Sequence, residues 1–178
     1  MRARQTPSPP ALWLISDARN DAMLETALAR LPRGSGFLFR HHHLPPEARH
    51  ARYRALARLA RRRGHTLVVA GTPALARRWG ADGAYGPPSG RIMRDGLYLA
   101  SVHGLPDIGR ANRLGASGVL LSPVFPTRTH PGGATLGPVR FRLLAMRAAM
   151  PVFALGGMDA KAARRLRWLH WAAIDGLS

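Results

Sequence analysis

Two stretches of this sequence place residue types that bind anions directly after an apolar strand. In the first, a strand over residues 119–121 leads into a loop with alternate hydroxyls at Thr127 and Thr129, a basic flank at His130 and a glycine pair. In the second, an apolar run over residues 151–155 ends in Gly156 and Gly157, just before a helical pattern. Bare backbone N–H groups, and the N-terminus of a following helix, can face a phosphate. The two stretches predict a phosphate site at the ends of two strands.

A histidine-rich segment ends another strand. Side chains alternate along a strand, so Arg40 and His42 share the face that would point into the site. His41 and His43 share the other face, where we expect a solvated polar turn. These residues place positive charge at the predicted site.

Ser101 and His103 end a third strand on one common face. A hydroxyl at a strand end more often caps a helix than binds a ligand, so this pair gains weight only beside the two glycine-containing loops. No metal ligand is assigned, because a catalytic zinc needs three converging ligands and carboxylates are scarce in this sequence.

Strand and helix patterns alternate from residue 12 to the C-terminus. The predicted strands cover residues 12–16, 37–40, 65–70, 83–85, 97–101, 119–121, 152–155 and 171–174. The predicted helices cover residues 21–31, 45–63, 73–79, 107–114, 139–149 and 159–169. Eight strands that alternate with helices predict an α/β protein with a parallel sheet, closed as a small (β/α)₈ TIM barrel.

The chain is short for such a barrel. It has 178 residues, whereas about 200 to 250 are usual, so the barrel must be trimmed, and no eighth helix follows the eighth strand. Residues 1–10 are proline-rich and are predicted to form a disordered N-terminal arm, with residues 11–178 as the barrel domain. No Gly-x-Gly-x-x-Gly motif follows the first strand, which disfavours a dinucleotide-binding fold.

The composition is strongly basic, with 27 basic and 9 acidic residues and a net charge of +18. All the basic residues except Lys161 are arginine, and they are spread along the chain without a nucleic-acid-binding motif. We therefore expect a phosphorylated small molecule as the partner, attracted by the charge, and not nucleic acid. Association with further copies of the chain stays open.

Localisation is predicted from what the sequence lacks. It contains no cysteine, no apolar core of a signal peptide and no apolar run of about 18 residues. We expect a cytoplasmic protein without a membrane segment.

Four motifs at strand ends resemble those of thiamine phosphate synthase and its TenI relatives. Residues 122–130, Ser-Pro-Val-Phe-Pro-Thr-Arg-Thr-His, are similar to the family loop Gly-Pro-[Val/Ile]-[Phe/Tyr]-x-Thr-x-Thr-Lys. Residues 156–158 resemble its Gly-Gly-Ile, residues 101–103 its Ser-x-His, and residues 38–42 the Gln-x-Arg-x-Lys of the synthases. The Gly-Ala-Asp-Gly before strand four is present at residues 80–83. The resemblance covers residues 11–175 and implies a small TIM barrel of thiamine biosynthesis.

The resemblance also implies a reaction and roles for the residues. The synthases join a pyrimidine methyl diphosphate to a thiazole phosphate and release pyrophosphate, with Mg²⁺ on the leaving group. By resemblance, the catalytic residues at the diphosphate are Arg40, His42, Ser101 and His130. The thiazole phosphate would be bound by His103, Thr127, Thr129, Gly156 and Gly157.

The sequence departs from the family where magnesium would bind. The family's aspartate after strand three is replaced by Ala70 and Gly71, and its aspartate after strand four falls in the Gly-Pro-Pro-Ser-Gly of residues 86–90. The two diphosphate lysines have become His42 and His130, which are only partly charged at neutral pH. Magnesium stays a candidate cofactor whose usual carboxylate ligands are missing.

Three functions remain open from the sequence. The first is the transferase reaction of the synthases. The second is a TenI-like, metal-independent tautomerisation of a thiazole phosphate with histidine as the proton carrier, although the TenI histidine is replaced by Ser122 and Pro123. The third is a non-catalytic protein that binds thiazole phosphate or thiamine phosphate.

Overall fold

A computed structural model describes residues 8–90, 93, 95–128 and 132–177. Its eight parallel strands close into one barrel in which each strand pairs with the next and β8 pairs with β1. The strands are β1 (Leu12–Ile15), β2 (Gly36–Phe39), β3 (Thr66–Ala70), β4 (Gly83–Gly86), β5 (Leu97–Val102), β6 (Gly118–Leu121), β7 (Val152–Ala154) and β8 (Trp171–Ala173). The predicted α/β barrel is confirmed.

Six α-helices surround this barrel in the described part of the chain. They are α1 (Leu24–Arg30), α2 (Pro46–Arg62), α3 (Pro73–Trp79), α4 (Leu105–Leu114), α5 (Gly137–Ala145) and α6 (Ala160–Leu166). The connection from β4 to β5 contains no helix among its described residues, and β8 is followed by a 3₁₀ turn, Asp175–Leu177. Among the described residues, an α-helix thus follows six of the eight strands.

The predicted helix over residues 21–31 divides into two parts. The segment Ala18–Met23 is a 3₁₀ helix, and only Leu24–Arg30 is α-helical. The 3₁₀ segment begins earlier than predicted because Asp17 and Asn20 form a capping box, in which the Asp17 N–H donates to Asn20 Oδ1 at 2.8 Å. The predicted helix over residues 159–169 ends earlier, because Arg167 is left-handed with φ of 49°.

Apolar side chains fill the inside of the barrel. The buried interior residues are Trp13, Ile15, Leu38, Val68, Ala70, Leu97, Leu99, Leu120, Phe153, Ala172 and Ile174. Trp13 lies edge-on to Phe153, with ring centroids 6.1 Å apart, and a Cβ on Gly36 would lie 2.1 Å from the Trp13 indole. The small residue on β2 therefore admits the large one on β1. This packed layer closes the barrel below the C-terminal ends of the strands.

A second and larger apolar cluster lies between the strands and the helices, and includes Phe37, Tyr53, Leu56, Val69 and Phe141. At the N-terminal side, Trp13 Nε1 donates to the Pro10 carbonyl at 2.7 Å, so residue 10 of the predicted arm is attached to the barrel. No helix among the described residues is long and apolar enough to cross a membrane.

Candidate active site

A cavity of about 1120 Å³ opens at the C-terminal ends of the strands. Its walls include the predicted site residues Arg40, His42, Ser101, His103, Thr127, Gly156 and Gly157. Thr129 and His130, also predicted for this site, lie outside the described residues. Parallel strands bring their C-terminal ends to one rim, which is why residues from four different segments meet in one place.

The floor of the cavity carries a polar group that the sequence analysis missed. Tyr85 points inward from β4 between apolar neighbours and lies beside Ser101. Burial raises the pKa of Tyr85, while the charge of Arg40 and the neighbouring Ser101 hydroxyl act in the opposite direction. The phenol is therefore protonated at neutral pH and can donate a hydrogen bond. Strand alternation after Gly83 could have identified it.

Arg40 and His42 line the cavity from the end of β2. Partial burial, followed by the charges of Arg49 and Arg40, lowers the pKa of His42. The His42 ring is accordingly uncharged at neutral pH in the free protein and is a poor substitute for a lysine.

The expected solvated turn is wrong for His41, although His43 is exposed. His41 is only 1% exposed, adopts a φ of 43° and stacks on Phe39 with ring centroids 4.7 Å apart. Its ring nitrogens lie 2.8 Å from Ser16 Oγ and 2.8 Å from Asp21 Oδ1. The alternation of a strand does not extend past Phe39, where β2 ends, so the face predicted for His41 does not apply.

His103 is placed at the cavity wall by a contact with β6. Its Nδ1 lies 2.9 Å from the Ser122 carbonyl oxygen, which can only accept a hydrogen bond. Nδ1 therefore carries the proton, and in the neutral ring Nε2 is left with a lone pair. A histidine directly after β5 thus lies beside Ser122, the residue that stands in place of the TenI histidine.

The Gly156–Gly157 turn follows β7, with φ values of 93° and 61°. Among the described residues, the N–H groups of Gly156, Gly157 and Met158 donate no hydrogen bond within the protein. All three residues line the cavity, so their amides are candidate hydrogen-bond donors to an anion there. The N-terminus of the following helix, which was also predicted to bind the anion, is already occupied. The Asp159 carboxylate caps α6 by accepting a hydrogen bond from Ala162 N at 2.6 Å.

The glycine pair is also required by packing. A Cβ on Gly157 would lie 2.5 Å from the Pro126 carbonyl oxygen, and one on Gly156 would lie 2.8 Å from Pro123 Cα. The loop after β6 is held against this turn by two backbone hydrogen bonds, from Val124 N to the Leu155 carbonyl and from Phe125 N to the Gly156 carbonyl. The two predicted anion-binding loops are therefore in direct contact.

The positive charge of the chain is not concentrated in the cavity. Of the described side chains that line it, two are arginines, Arg40 and Arg128, and two are aspartates, Asp159 and Asp175. Exposed arginines instead cover the outer faces of the helices, as on α2 at Arg54, Arg58 and Arg62. The described lining of the cavity therefore has little fixed charge with which to balance a polyanion.

The described residues do not fit the magnesium ion that the family implies. The ends of β3 and β4 present Ala70, Gly71, Gly86 and Pro87 to the cavity, and none of these side chains carries an oxygen. No group of three histidine, aspartate or glutamate side chains in the described chain could hold a metal ion. Magnesium binds through carboxylates and substrate oxygens, so a protein anchor is lacking at these two strand ends.

The fold and the site define a (β/α)₈-barrel protein with a ligand-sized cavity at the rim where barrel enzymes carry their active sites. Residues 89–175 match the family TMP-TENI, described as thiamine monophosphate synthase. The matched residues include the strand-five, strand-six and strand-seven motifs, and the family resemblance predicted from the sequence is confirmed there. No curated protein matches the chain.

Solved structures agree on the fold. Thiamine phosphate pyrophosphorylase from Pyrococcus furiosus is 23% identical and superimposes with a TM-score of 0.74, covering 92% of this chain and 84% of that one. An HpcH/HpaI aldolase/citrate lyase family protein from Burkholderia cenocepacia is 17% identical, with a TM-score of 0.61 and coverage of 94% and 88%. The YdjI aldolase from Escherichia coli is 8% identical, with a TM-score of 0.62 and coverage of 94% and 75%. At these identities the structures support the fold alone.

Proposed function

We propose that the protein binds a phosphorylated thiazole in the rim cavity and catalyses a metal-independent proton shift on it. The observation that carries this proposal is the charge of the cavity. The described lining of the cavity carries two arginines and two aspartates, and the ends of β3 and β4 offer no carboxylate to a cation. Such a cavity suits one phosphate group better than a diphosphate, whose several negative charges need a metal ion or more basic residues.

The phosphate is assigned to the amides of Gly156, Gly157 and Met158. Backbone N–H groups bind phosphate oxygens without a side-chain charge. Arg40, which lines the cavity from the end of β2, provides the permanent positive charge. The Asp159 and Asp175 carboxylates near the glycine turn disfavour additional negative charge at this end.

His103 supplies the acid and base of the proposed step. Its Nε2 accepts a proton from a carbon of the bound thiazole, and the resulting imidazolium returns a proton to another atom of the same ring system. The substrate is isomerised, and no other reactant is consumed. The hydrogen bond from Nδ1 to the Ser122 carbonyl holds the ring in the tautomer that this step needs.

The transferase reaction is the second candidate. It is favoured by the cluster of Arg40, Tyr85 and Ser101 on the floor, which could donate hydrogen bonds to a departing pyrophosphate. The family resemblance supports it as well. Its weakness is the neutral His42 and the missing anchors for magnesium.

One experiment separates the candidates. Calorimetric titration with thiazole phosphate, thiamine phosphate and pyrophosphate, each with and without Mg²⁺, would measure affinity, and NMR in D₂O would follow proton exchange on the thiazole phosphate. We expect thiazole phosphate to bind without Mg²⁺ and to exchange a ring or side-chain proton. Tight pyrophosphate binding that requires Mg²⁺, with no exchange and with synthesis of thiamine phosphate once pyrimidine methyl diphosphate is added to the thiazole phosphate, would overturn the proposal and establish the transferase.

A further inference from the structure

The main chain at Arg40 is held by side chains on both sides. Its N–H donates to Ser16 Oγ at 2.8 Å, and its carbonyl accepts from Arg49 Nε at 2.8 Å. β2 ends one residue earlier, at Phe39, so regular strand pairing no longer fixes this peptide. The side chain that enters the cavity is thus directed by two contacts from other elements.

The Ser16 hydroxyl is itself held in a chain of hydrogen bonds. It lies 2.8 Å from His41 Nδ1, and His41 Nε2 lies 2.8 Å from Asp21 Oδ1. A carboxylate only accepts, so Nε2 carries the proton; in the neutral ring Nδ1 then accepts from the Ser16 hydroxyl. Burial lowers the pKa of His41, against the effect of Asp21, which keeps the ring neutral at neutral pH.

The far end of this chain is anchored to a helix. Asp21 Oδ1 also accepts from Arg52 Nε at 2.7 Å, and Arg52 on α2 forms an ion pair with Glu25 on α1. The chain therefore extends from the surface of α1 and α2 to the peptide of Arg40.

A Ser-His-Asp series of hydrogen bonds also occurs in enzymes with a serine nucleophile, but Ser16 cannot serve as a nucleophile here. The Ser16 side chain is buried, with 0% exposure, and its oxygen is already engaged by Arg40 N and His41. A substrate in the cavity cannot reach it. The network must act on the protein itself.

We propose that Ser16, His41 and Asp21 are positioning residues that fix the direction of Arg40 toward the anion in the cavity. The inference deepens the proposed function, because it assumes that Arg40 binds the anion. It assigns a role to a buried histidine that touches no ligand.

A double-mutant cycle tests this role with inorganic pyrophosphate as the probe, measured by calorimetry on the full chain. Ser16→Ala removes the acceptor of the Arg40 N–H, and we expect affinity to fall about three- to tenfold. In the Arg40→Met background the same substitution should change affinity by less than about twofold, because the group that it positions is absent. Asp21→Asn, at a partly exposed site, provides a milder variant should Ser16→Ala not fold.

A matched control distinguishes positioning from general destabilisation. His65 is also buried, at 4% exposure, and its Nε2 lies 3.0 Å from the Leu28 carbonyl, away from the cavity. His65→Leu should lower stability and leave pyrophosphate affinity unchanged. The positioning role would be overturned if folded Ser16→Ala and Asp21→Asn bound pyrophosphate with wild-type affinity. It would also be overturned if the effects of Ser16→Ala and Arg40→Met on this affinity were fully additive.

The possible failures are distinguishable. Unchanged affinity in folded Arg40→Met refutes the anion-binding role of Arg40, and with it the positioning network. A loss in Arg40→Met together with wild-type affinity in Ser16→Ala refutes the network alone. Failure of the thiazole exchange reaction refutes the proposed chemistry and leaves the pyrophosphate cycle unaffected.

Discussion

His103 Nδ1 lies 2.9 Å from the carbonyl oxygen of Ser122, so the end of β5 is joined to the end of β6 by a histidine ring whose second nitrogen carries a lone pair when the ring is neutral. For this reason we expect His103→Gln to lower the rate of thiazole phosphate exchange in D₂O by about 10²- to 10⁴-fold, the usual contribution of a general base. NMR measures the rate, and calorimetry should show that binding changes far less.

The matched control for that variant is His170→Gln. His170 precedes β8 at the opposite end of the barrel, where its ring contacts Phe153. An exchange rate in His103→Gln equal to that of His170→Gln would show that His103 is not the base.

Arg40→Met should weaken the binding of phosphate-containing ligands by about tenfold or more, because a charge-assisted hydrogen bond contributes about 1.5 to 3 kcal/mol. Arg58→Met removes the same charge from the exposed face of α2 and serves as the control. Calorimetry at constant ionic strength compares the two. Equal effects would mean that Arg40 contributes only to the general positive potential of the protein.

The pH dependence of anion binding should report His42. Its pKa is lowered in the free protein by partial burial and by Arg49 and Arg40, and a bound anion would raise it. Affinity should therefore increase as pH falls through the value in the complex and level off below the value in the free protein. Pyrophosphate titrations from about pH 5 to 8 should show this increase in the wild type, and His42→Asn should reduce it. An identical profile in His42→Asn would assign the effect to another group.

Stability should decline in mildly acidic solution because of His41. The ring is buried beside Asp21, His43 and Arg52, and its pKa is lowered mainly by burial. As pH falls, the histidine is protonated in the unfolded chain before it is protonated in the folded protein. The free energy of unfolding should therefore fall as pH drops from about 6.5, the ordinary histidine pKa, to the lower pKa of His41 in the folded protein. Above about pH 6.5 the contribution of His41 to stability should be fully present. The lowered pKa values of Asp21 and Glu25 act only at more acidic pH, near and below their ordinary values.

Urea unfolding at about pH 7.5 and pH 5.5 measures this loss. His41→Leu cannot take up a proton and should lose less stability over the interval, although it begins from a lower value. A loss in His41→Leu as large as in the wild type would exclude His41 as the source.

Gly157→Ala should destabilise the protein. The left-handed φ of 61° costs an alanine about 1 to 2 kcal/mol, and the added Cβ lies 2.5 Å from the Pro126 carbonyl, which adds about 1 to 3 kcal/mol. Gly34→Ala, with φ of 76° and no atom within 4 Å, isolates the backbone cost. Equal losses in the two variants would contradict the close contact between the loops after β6 and β7. A substitution at Gly157 is consequently a test of packing before it is a test of phosphate binding.

Local sequence patterns were sufficient for the fold and for most of the cavity wall. Short apolar runs predicted all eight strands, and residues such as Arg40, Ser101 and Gly156 were recognised because they lie at or just after the C-terminal ends of these strands. Errors arose where the regular pattern stopped. His41 was assigned to solvent by extending strand alternation beyond Phe39, and helix α6 was given an open N-terminus although Asp159, directly before the helix, caps it.

The sequence by itself determined the order of strands and helices, the single closed barrel and the set of polar residues at its rim, because these follow from periodicities that neighbouring residues create. Only the tertiary structure decided which of those residues meet. The Ser16–His41 bond spans 25 residues, the His103–Ser122 bond spans 19, and Tyr85 reaches Ser101 only because β4 and β5 are adjacent in the barrel. Such contacts depend on how the closed barrel brings separate strand ends together, and burial then sets the protonation of the groups involved.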